Sequence, residues 1–379
     1  MTTTVTGRDP ATGRSLAVTV EAGRIAAIAD GPAGETAWLS PGLVDLQVNG
    51  FAGHDLNSGG LTADTVAQLA AVLRTGGVTT FLPTLITAPE ASIVAALRAI
   101  AAARAADPLV AHAIPSVHVE GPHIAPEDGP RGAHPRDQVR PPNLAEFDRW
   151  QAACGGLVGL VTLSPHYAGA PAYVRALTAR GVHVAIGHTQ ATDAEIRAVV
   201  EAGAVLSTHL GNGIAAVLPR HPNPIWTQLA EGRLTASFIA DGHHLPAEVF
   251  KAMLRAKGLD RAVLVSDAAA PGGLPPGIYD QPIGGRVELT ADGRLGVPGT
   301  PFLAGAARPL AQDVALAIGM AGISLADALR LATANPGRFV GGRGVLAVGA
   351  PADLIRFRWA PGDRDLAIET VLVLGEERP

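Results

Sequence analysis

Hydrophobic residues recur along this chain in short runs rich in valine, isoleucine and leucine, and several of the runs stop at a polar side chain. From residue 43 onward, eight such runs alternate with longer alanine-, leucine- and arginine-rich stretches. Runs that are apolar at almost every position are typical of strands buried on both faces of a parallel sheet. The predicted strands cover residues 43–48, 78–83, 113–119, 157–163, 182–187, 204–208, 234–240 and 262–266.

The stretches between these runs have apolar residues at helical spacing. Thr62, Ser92 and Thr192 stand where predicted helices begin, and their hydroxyls can cap helix N-termini. Eight β–α alternations predict an α/β fold, a (β/α)8 TIM-like barrel. The alternative is a doubly wound open sheet. It would be better supported by a glycine-rich dinucleotide loop after the first strand, and residues 50–55 do not match that pattern.

The two ends of the chain have a different pattern. Residues 15–20 and 25–28 flank a short turn, which predicts a β-hairpin. Residues 344–355 and 367–374 are again strand-like. We therefore expect the two ends to pair with each other.

This pairing predicts two domains. Residues 1–40 and 341–379 are expected to form a small β-sandwich domain, and residues 41–340 a barrel domain with hydrolase chemistry. The proline- and glycine-rich stretch 271–301 is predicted to be a long loop or a small excursion after the eighth strand.

Composition excludes several classes of partner. The formal net charge is −5 and the isoelectric point is near 6.2, so no basic field favours nucleic acid or an anionic membrane surface. The single cysteine, Cys154, excludes an internal disulfide framework. Neither a signal peptide nor an apolar stretch of membrane-spanning length is recognisable. We expect a cytoplasmic location.

The two lysines carry information about chemistry. Lys251 and Lys257 both lie in one helix-like segment, and neither stands at the end of a predicted strand. This argues against a lysine Schiff base, a P-loop lysine and a modified lysine that bridges two metals.

Four of the strand-like runs end at or just before an acid or a histidine. These residues are Glu120, His188, His209 and Asp267. Reactive groups of barrel enzymes collect at the carboxyl ends of the strands, so we expect the four side chains to meet. Glu120, His188 and His209 are candidate ligands for a divalent metal, since one carboxylate and two imidazoles suit Zn²⁺ and, less selectively, Fe²⁺ or other first-row ions. Asp267 is the candidate general acid and base.

Each of these residues also has a structural interpretation. A single histidine at a strand end is more often a hydrogen-bonded core residue than a ligand, and Glu120 could be a charged strand cap. His112, His118 and His183 are interpreted as structural. Four such groups at four separate strand ends favour a hydrolytic metal site.

The chain resembles the amidohydrolase superfamily and, within it, the N-acetylglucosamine-6-phosphate deacetylases. The resemblance runs from residues 41–50 to residues 350–354. The motifs that carry it are His118-Val-Glu-Gly-Pro122, Gly187-His-Thr189, Thr208-His-Leu-Gly-Asn212, Ala240-Asp-Gly-His-His244 and Val265-Ser-Asp-Ala268.

The resemblance implies a mononuclear metal site. Most amidohydrolases carry His-x-His after the first strand, and here Gln47 and Asn49 occupy those places. The implied activity is hydrolysis of the acetamide of N-acetylglucosamine 6-phosphate, with Asp267 as the catalytic acid and base. The resemblance also implies a homodimer and a small amino-sugar phosphate as the binding partner.

The resemblance further implies a set of substrate contacts. Arg220 and the backbone of Asn212 and Gly213 would hold the sugar phosphate, and His134 would polarise the acetyl carbonyl or contact a sugar hydroxyl. From composition alone, Arg220 would be an exposed loop arginine. The full implied set is Ala133, His134, Asn212, Gly213, Arg220 and His244.

Two segments depart from the family pattern. Residues 164–166 read Ser-Pro-His, which places a histidine where the family commonly has an acid, and residues 303–310 gain Arg308 and lose hydroxyl groups. These changes leave open a relative that cleaves another N-acyl amino-sugar phosphate or another N-acyl compound. A catalytically silent sugar-phosphate sensor is a further alternative, and the retained Asp267 argues against it.

Overall fold

The computed structural model describes residues 2–378. In chain order its strands are β1 (Thr2–Arg8), β2 (Ser15–Glu21), β3 (Arg24–Asp30), β4 (Trp38–Pro41), β5 (Leu43–Val48), β6 (Gly50–Phe51), β7 (His54–Asp55), β8 (Val78–Ile86), β9 (Val117–Glu120), β10 (Val158–Leu163), β11 (His183–Ile186), β12 (Leu206–Ser207), β13 (Thr235–Phe238), β14 (Ala262–Leu264), β15 (Gly277–Gln281), β16 (Gly285–Leu289), β17 (Leu295–Gly296), β18 (Leu354–Arg358), β19 (Ala367–Val373) and β20 (Glu376–Glu377).

The α-helices of these residues are α1 (Ala63–Thr75), α2 (Glu90–Ala106), α3 (Pro108–Ala113), α4 (Leu144–Cys154), α5 (Ala170–Thr178), α6 (Asp193–Glu201), α7 (Pro224–Ala230), α8 (Ala247–Lys257), α9 (Leu310–Ala321), α10 (Leu325–Leu331) and α11 (Ala334–Gly337). None of them combines the length and the hydropathy that a membrane-spanning helix needs.

The eight predicted strands form a parallel barrel. The sheet order is β14-β13-β12-β11-β10-β9-β8-β5. A parallel bridge between Val48 and Ala268 joins β5 to the segment that follows β14, and the Asp267 N–H donates to the Gln47 carbonyl at 3.0 Å. The barrel therefore closes where its first strand meets the segment after its last one, and the predicted TIM-like fold is confirmed.

The inside of the barrel is a packed apolar core. Small and medium aliphatic side chains from successive strands fill it, as is usual for eight-stranded barrels. The buried residues of this cluster are Val44, Leu46, Leu82, Leu160, Ala185, Leu206, Ile239, Val263, Val265, Ala306 and Val340.

The two ends of the chain combine in a second sheet, as predicted. Its seven strands follow the order β20-β19-β18-β4-β1-β2-β3, and β4 and β18 pair antiparallel. The N-terminal hairpin is confirmed as β2 and β3. The predicted strand over residues 344–355 was too long, because β18 begins only at Leu354, after a turn at Gly349 (φ 87°) and Pro351.

The stretch after β14 contains a small antiparallel sheet of three strands, β15–β17, which we call the rim sheet. Val287, Leu289 and Leu295 form its buried side, and they cluster with Ile86 and Ala269 of the barrel. The predicted excursion thus packs on the barrel.

Two of the three residues predicted to cap helix N-termini do so in the structure. Thr62 accepts a hydrogen bond from the Thr65 N–H, and Thr192 forms a capping box with Glu195. The prediction for Ser92 was wrong. Helix α2 already begins at Glu90 after Pro89, so Ser92 lies in its first turn.

Candidate metal centre and active site

Four polar residues reach the mouth of the barrel from the carboxyl ends of its strands. Glu120 is the last residue of β9, and His188, His209 and Asp267 follow β11, β12 and β14. The last three have left-handed backbone angles, with φ of 49°, 29° and 50°. This conformation is uncommon for residues other than glycine, costs about 1–3 kcal/mol each and clusters at functional sites.

The predicted ligands lie together. The Glu120 Oε1 atom is 3.0 Å from His209 Nε2 and 3.3 Å from His188 Nε2, and the two Nε2 atoms are 3.2 Å apart. All three side chains are buried. One carboxylate oxygen and two imidazole nitrogens therefore converge on one point.

The hydrogen bonds around this point fit a cation. His188 donates from Nδ1 to the Pro130 carbonyl at 2.9 Å, which leaves a lone pair on Nε2 facing the cluster. Although burial raises the pKa of Glu120, its interactions with the adjacent His188 and His209 hold it well below its usual value. Burial lowers the pKa of His209, but its hydrogen bond to Glu120 raises it above the usual value. A positive charge thus stabilises this site, and a divalent ion would supply it.

His134 lies beside the cluster. Its Nε2 atom is 3.9 Å from Glu120 Oε2, and ligand atoms of Glu120, His134 and His188 all fall within 4.8 Å of one another. The Thr87 backbone N–H faces His134 Nδ1 at 3.4 Å and the Thr87 hydroxyl faces it at 2.9 Å. Since a backbone N–H can only donate, Nδ1 accepts and Nε2 carries the hydrogen. Burial, and then the charge of His188, lower the pKa of His134 to about 3. The ring is a neutral donor.

Asp267 is held by two side-chain amides. Gln47 Nε2 and Asn49 Nδ2 donate to its Oδ1 atom at 2.9 and 2.7 Å, and Gln47 Nε2 also lies 3.0 Å from Glu120 Oε1. Burial, with the charge of Glu120, raises the pKa of Asp267 to about 6. The sequence analysis did not predict these two contacts. It treated Gln47 and Asn49 only as the residues that replace the two histidines of His-x-His.

A cavity of about 290 Å³ opens over this cluster. It contains every predicted metal ligand together with Asp267. The predicted substrate contacts that line it are Ala133, His134, Asn212, Gly213 and His244.

Arg220 does not line this cavity. It is exposed in the loop before α7, and its guanidinium makes no hydrogen bond or ion pair with the rest of residues 2–378. The structure therefore brings together all the predicted site residues except Arg220.

His244 is oriented by an acid that was not predicted. Its Nδ1 atom is 2.7 Å from Asp241 Oδ2, and the backbone N–H groups of His243 and His244 donate to Asp241 Oδ1. Burial raises the pKa of Asp241, but these bonds bring it down to about 2. The signal was present in the sequence, because Asp241 belongs to the motif at residues 240–244.

The two departures from the family pattern have different outcomes. His166 bonds to Ser164 Oγ at 2.6 Å and does not line the cavity. Arg308 also lies outside it, because its guanidinium donates to the carbonyls of Asp241 and Asp292. Leu303 and Gly305 of the altered segment do line the cavity.

Comparison with known proteins agrees with this geometry. A model of the amidohydrolase family matches residues 38–378. An N-acetylgalactosamine-6-phosphate deacetylase of Escherichia coli O157:H7 is 33% identical over 314 residues, which cover 81% of this chain and 79% of that protein. An N-acetylglucosamine-6-phosphate deacetylase of Bacillus subtilis (strain 168) is 30% identical, covering 84% of this chain and 80% of that one.

A solved structure shares the fold along nearly the whole chain. It is a mutant N-acetyl-D-glucosamine-6-phosphate deacetylase of Mycobacterium smegmatis in complex with N-acetyl-D-glucosamine-6-phosphate. The TM-score is 0.85 at 30% sequence identity, and the match covers 96% of this chain and 94% of that one.

Proposed function

Because this chain belongs to the amidohydrolase family, we propose that it hydrolyses the acetamide of N-acetylglucosamine 6-phosphate to glucosamine 6-phosphate and acetate. The observation that carries the proposal is the position of the Asp267 carboxylate beside the convergent Glu120, His188 and His209 side chains in one cavity. Both named relatives and the solved structure are deacetylases of amino-sugar phosphates.

The proposed metal ligands are Glu120, His188 and His209. This donor set suits Zn²⁺, which we propose as the ion, and Fe²⁺ or another first-row ion would also fit. When bound, such an ion polarises a carbonyl and activates a water molecule.

The side chains around the ligands supply the proton transfers. Asp267 accepts a proton from the attacking water and returns it to the leaving nitrogen. The proton goes to Oδ2, because Oδ1 already accepts two hydrogen bonds from Gln47 and Asn49. His134 donates its Nε2–H to the carbonyl oxygen, where negative charge develops.

The sugar phosphate is proposed to contact Ala133, Asn212, Gly213 and His244. Arg220 is the proposed cation for the 6-phosphate, since a guanidinium matches a phosphate dianion. Arg220 is exposed and does not line the cavity, so it would reach the phosphate either from its own loop or from a second copy of the chain. We propose a cytoplasmic homodimer, in which the second route is open.

A second candidate substrate is the epimer, N-acetylgalactosamine 6-phosphate. The Escherichia coli relative that is named for this substrate is 33% identical to the chain. Rates with the two epimers, measured side by side, decide between them.

The test is acetate release by purified, Zn²⁺-loaded protein from N-acetylglucosamine 6-phosphate and from unphosphorylated N-acetylglucosamine. We expect turnover that depends on the phosphate, stops with a chelator and returns with added Zn²⁺. Asp267→Asn should lower kcat by about 10²–10⁴-fold while the protein keeps its metal.

Asp280→Asn is the matched control, because Asp280 is exposed on the rim sheet and outside the cavity. Absence of turnover from the folded, metal-loaded protein would refute the substrate assignment. Loss of metal in Asp267→Asn would show that Asp267 is a ligand.

A further inference from the structure

The walls of the cavity differ in chemistry. One wall consists of four apolar side chains, Ile86, Ile283, Phe302 and Leu303, which we call the apolar wall. The side that carries Asn212 and His244 is mixed, since Ile214 and Ala216 also line the cavity beside Asn212. The metal ligands lie between the two.

The apolar wall is built where the rim sheet packs on the barrel. Ile86 ends β8 and pairs in register with Glu120, so it stands next to the proposed metal. Ile283, from the rim sheet, packs in the same buried cluster as Ile86, and Ala133 packs against that cluster.

The segment that carries Leu303 runs directly beside the proposed catalytic acid. The Ala306 N–H donates to the Asp267 carbonyl at 2.9 Å, and Ala306 bridges to Ala268. Gly305 lines the cavity with φ +81°, and a Cβ there would lie only 2.9 Å from the Ala269 Cβ. The backbone at residue 305 thus packs tightly against Ala269, and no side chain at residue 305 fills the cavity.

An amide held at the metal has two ends of opposite character. Its amine side is a polar sugar phosphate, which gains hydrogen bonds from Asn212 and His244 and would lose them against aliphatic side chains. Its acyl side is hydrocarbon. Complementarity therefore directs the acyl group to the apolar wall.

An acetyl methyl group is too small to cover this wall. Phe302 is 57% exposed at the mouth of the cavity, so the apolar surface extends from beside Glu120 out to solvent. Burial of apolar surface is favourable in proportion to its area, and a longer acyl chain would bury more of it.

We infer that the apolar wall is an acyl-binding subsite that accepts N-acyl groups longer than acetyl. This inference rests on the proposed function, since it names the acyl range of the same reaction. Ile86 and Leu303 contact the first carbons of the chain, and Phe302 covers its end.

The first experiment compares kcat/KM of the Zn²⁺-loaded enzyme for the N-acetyl, N-propionyl and N-butyryl derivatives of glucosamine 6-phosphate. We expect kcat/KM to rise with chain length by up to about fourfold per added methylene, the factor that about 0.8 kcal/mol represents. A kcat/KM that falls on going from acetyl to propionyl overturns the subsite. No hydrolysis of any of the three would instead refute the proposed function.

A pair of variants tests the wall itself. Phe302→Ser should lower the butyryl-to-acetyl ratio of kcat/KM at least about threefold, since it removes the outer apolar surface. Ile278→Ser is the control, because Ile278 is an exposed hydrophobic residue of the rim sheet (47% exposed) that does not line the cavity. A ratio that Phe302→Ser leaves unchanged, or that both variants lower equally, overturns the inference.

Discussion

At the scale of single residues, the two side-chain amides near Asp267 have different hydrogen-bond partners. Asn49 Nδ2 donates to Asp267 alone, whereas Gln47 Nε2 lies within hydrogen-bond distance of both Asp267 and Glu120. One amide therefore acts on the proposed acid and base only, and the other also acts on a proposed metal ligand.

This difference predicts separable effects. Asn49→Leu should lower kcat at least about tenfold, since a hydrogen bond to a charged group contributes about 1.5–3 kcal/mol, and should leave metal affinity unchanged. Gln47→Leu should lower both kcat and metal affinity. Steady-state kinetics and chelator competition measure the two quantities. Equal loss of metal affinity in both variants would contradict this division.

Sequence patterns located the four residues that converge at the mouth of the barrel, but not the residues that contact them. A polar residue after an apolar run is visible locally, so Glu120, His188, His209 and Asp267 were found. The contact of Gln47 with Asp267 joins residues 220 positions apart and leaves no local trace. The left-handed backbone at His188, His209 and Asp267 depends on how each loop leaves its strand, which side-chain periodicity does not record.

At the scale of elements, helix α9 carries a buried acid with no partner. Both carboxylate oxygens of Asp313 are buried, and neither has a hydrogen bond within residues 2–378. Burial, together with the charges of Asp241 and Asp45, raises the pKa of Asp313 well above its usual value. The folded protein therefore holds a proton there that the unfolded chain releases above about pH 4.

Replacement by leucine should stabilise the protein, and the gain should grow with pH. The folded wild type binds the proton more tightly than the unfolded chain, so its free energy of unfolding falls as pH rises above the unfolded pKa. We expect Asp313→Leu to gain about 1–3 kcal/mol at pH 8 and clearly less at pH 5. Urea denaturation at the two pH values measures this.

A comparison variant is available in the same region. Asp45 is equally buried, but its carboxylate accepts hydrogen bonds from the backbone of Gln47 and Ser266, so Asp45→Leu should destabilise. A loss of stability in Asp313→Leu that matches the loss in Asp45→Leu would show that Asp313 has a stabilising role.

The barrel strands were predictable because burial on both faces leaves an uninterrupted apolar run. The rim sheet was foreseen only as an excursion, since its strands expose one face and lie among glycine and proline. The predicted strand near the end of the chain was too long for a different reason. Residues 344–352 are apolar, yet Gly349 and Pro351 turn the backbone before β18 begins.

At the scale of the whole molecule, Asp353 connects the seven-stranded sheet to the barrel. Its carboxylate pairs with His112 Nε2 of α3 at 2.7 Å and accepts the Leu374 N–H at 2.9 Å. Its carbonyl accepts the Gly42 N–H at the start of the barrel. Asp353 therefore contacts the seven-stranded sheet, helix α3 and the start of the barrel at once.

Asp353→Ala should lower the free energy of unfolding by about 1–3 kcal/mol, because it leaves the partly buried His112 side chain and Leu374 N–H without their acceptor. We expect one calorimetric transition in the wild type and in the variant, shifted to lower temperature in the variant. Asp30→Ala, which removes an exposed ion pair with Arg14, should change little. Two separate transitions would show that the sheet and the barrel unfold independently.

The overall architecture was largely predictable, whereas the walls of the cavity were not. Alternating strands and helices predicted the barrel, and matching β-rich ends predicted their pairing. The apolar wall assembles from β8, the turn between β15 and β16, and the segment after β17. The exposed position of Arg220 is set by the loop before α7. Both depend on which distant segments meet.

The closure of the barrel between Val48 and Ala268 has a consequence for how the protein is made. Gln47 and Asn49 emerge early from the ribosome, whereas Asp267, which they hold, is among the last third of the residues to be synthesised. Pairing across so long a separation is slow, because the entropy of closing the loop is lost before any contact forms. The proposed metal ligands Glu120, His188 and His209 are all translated before Asp267. The proposed site is complete only once the first strand has met the segment after the last one.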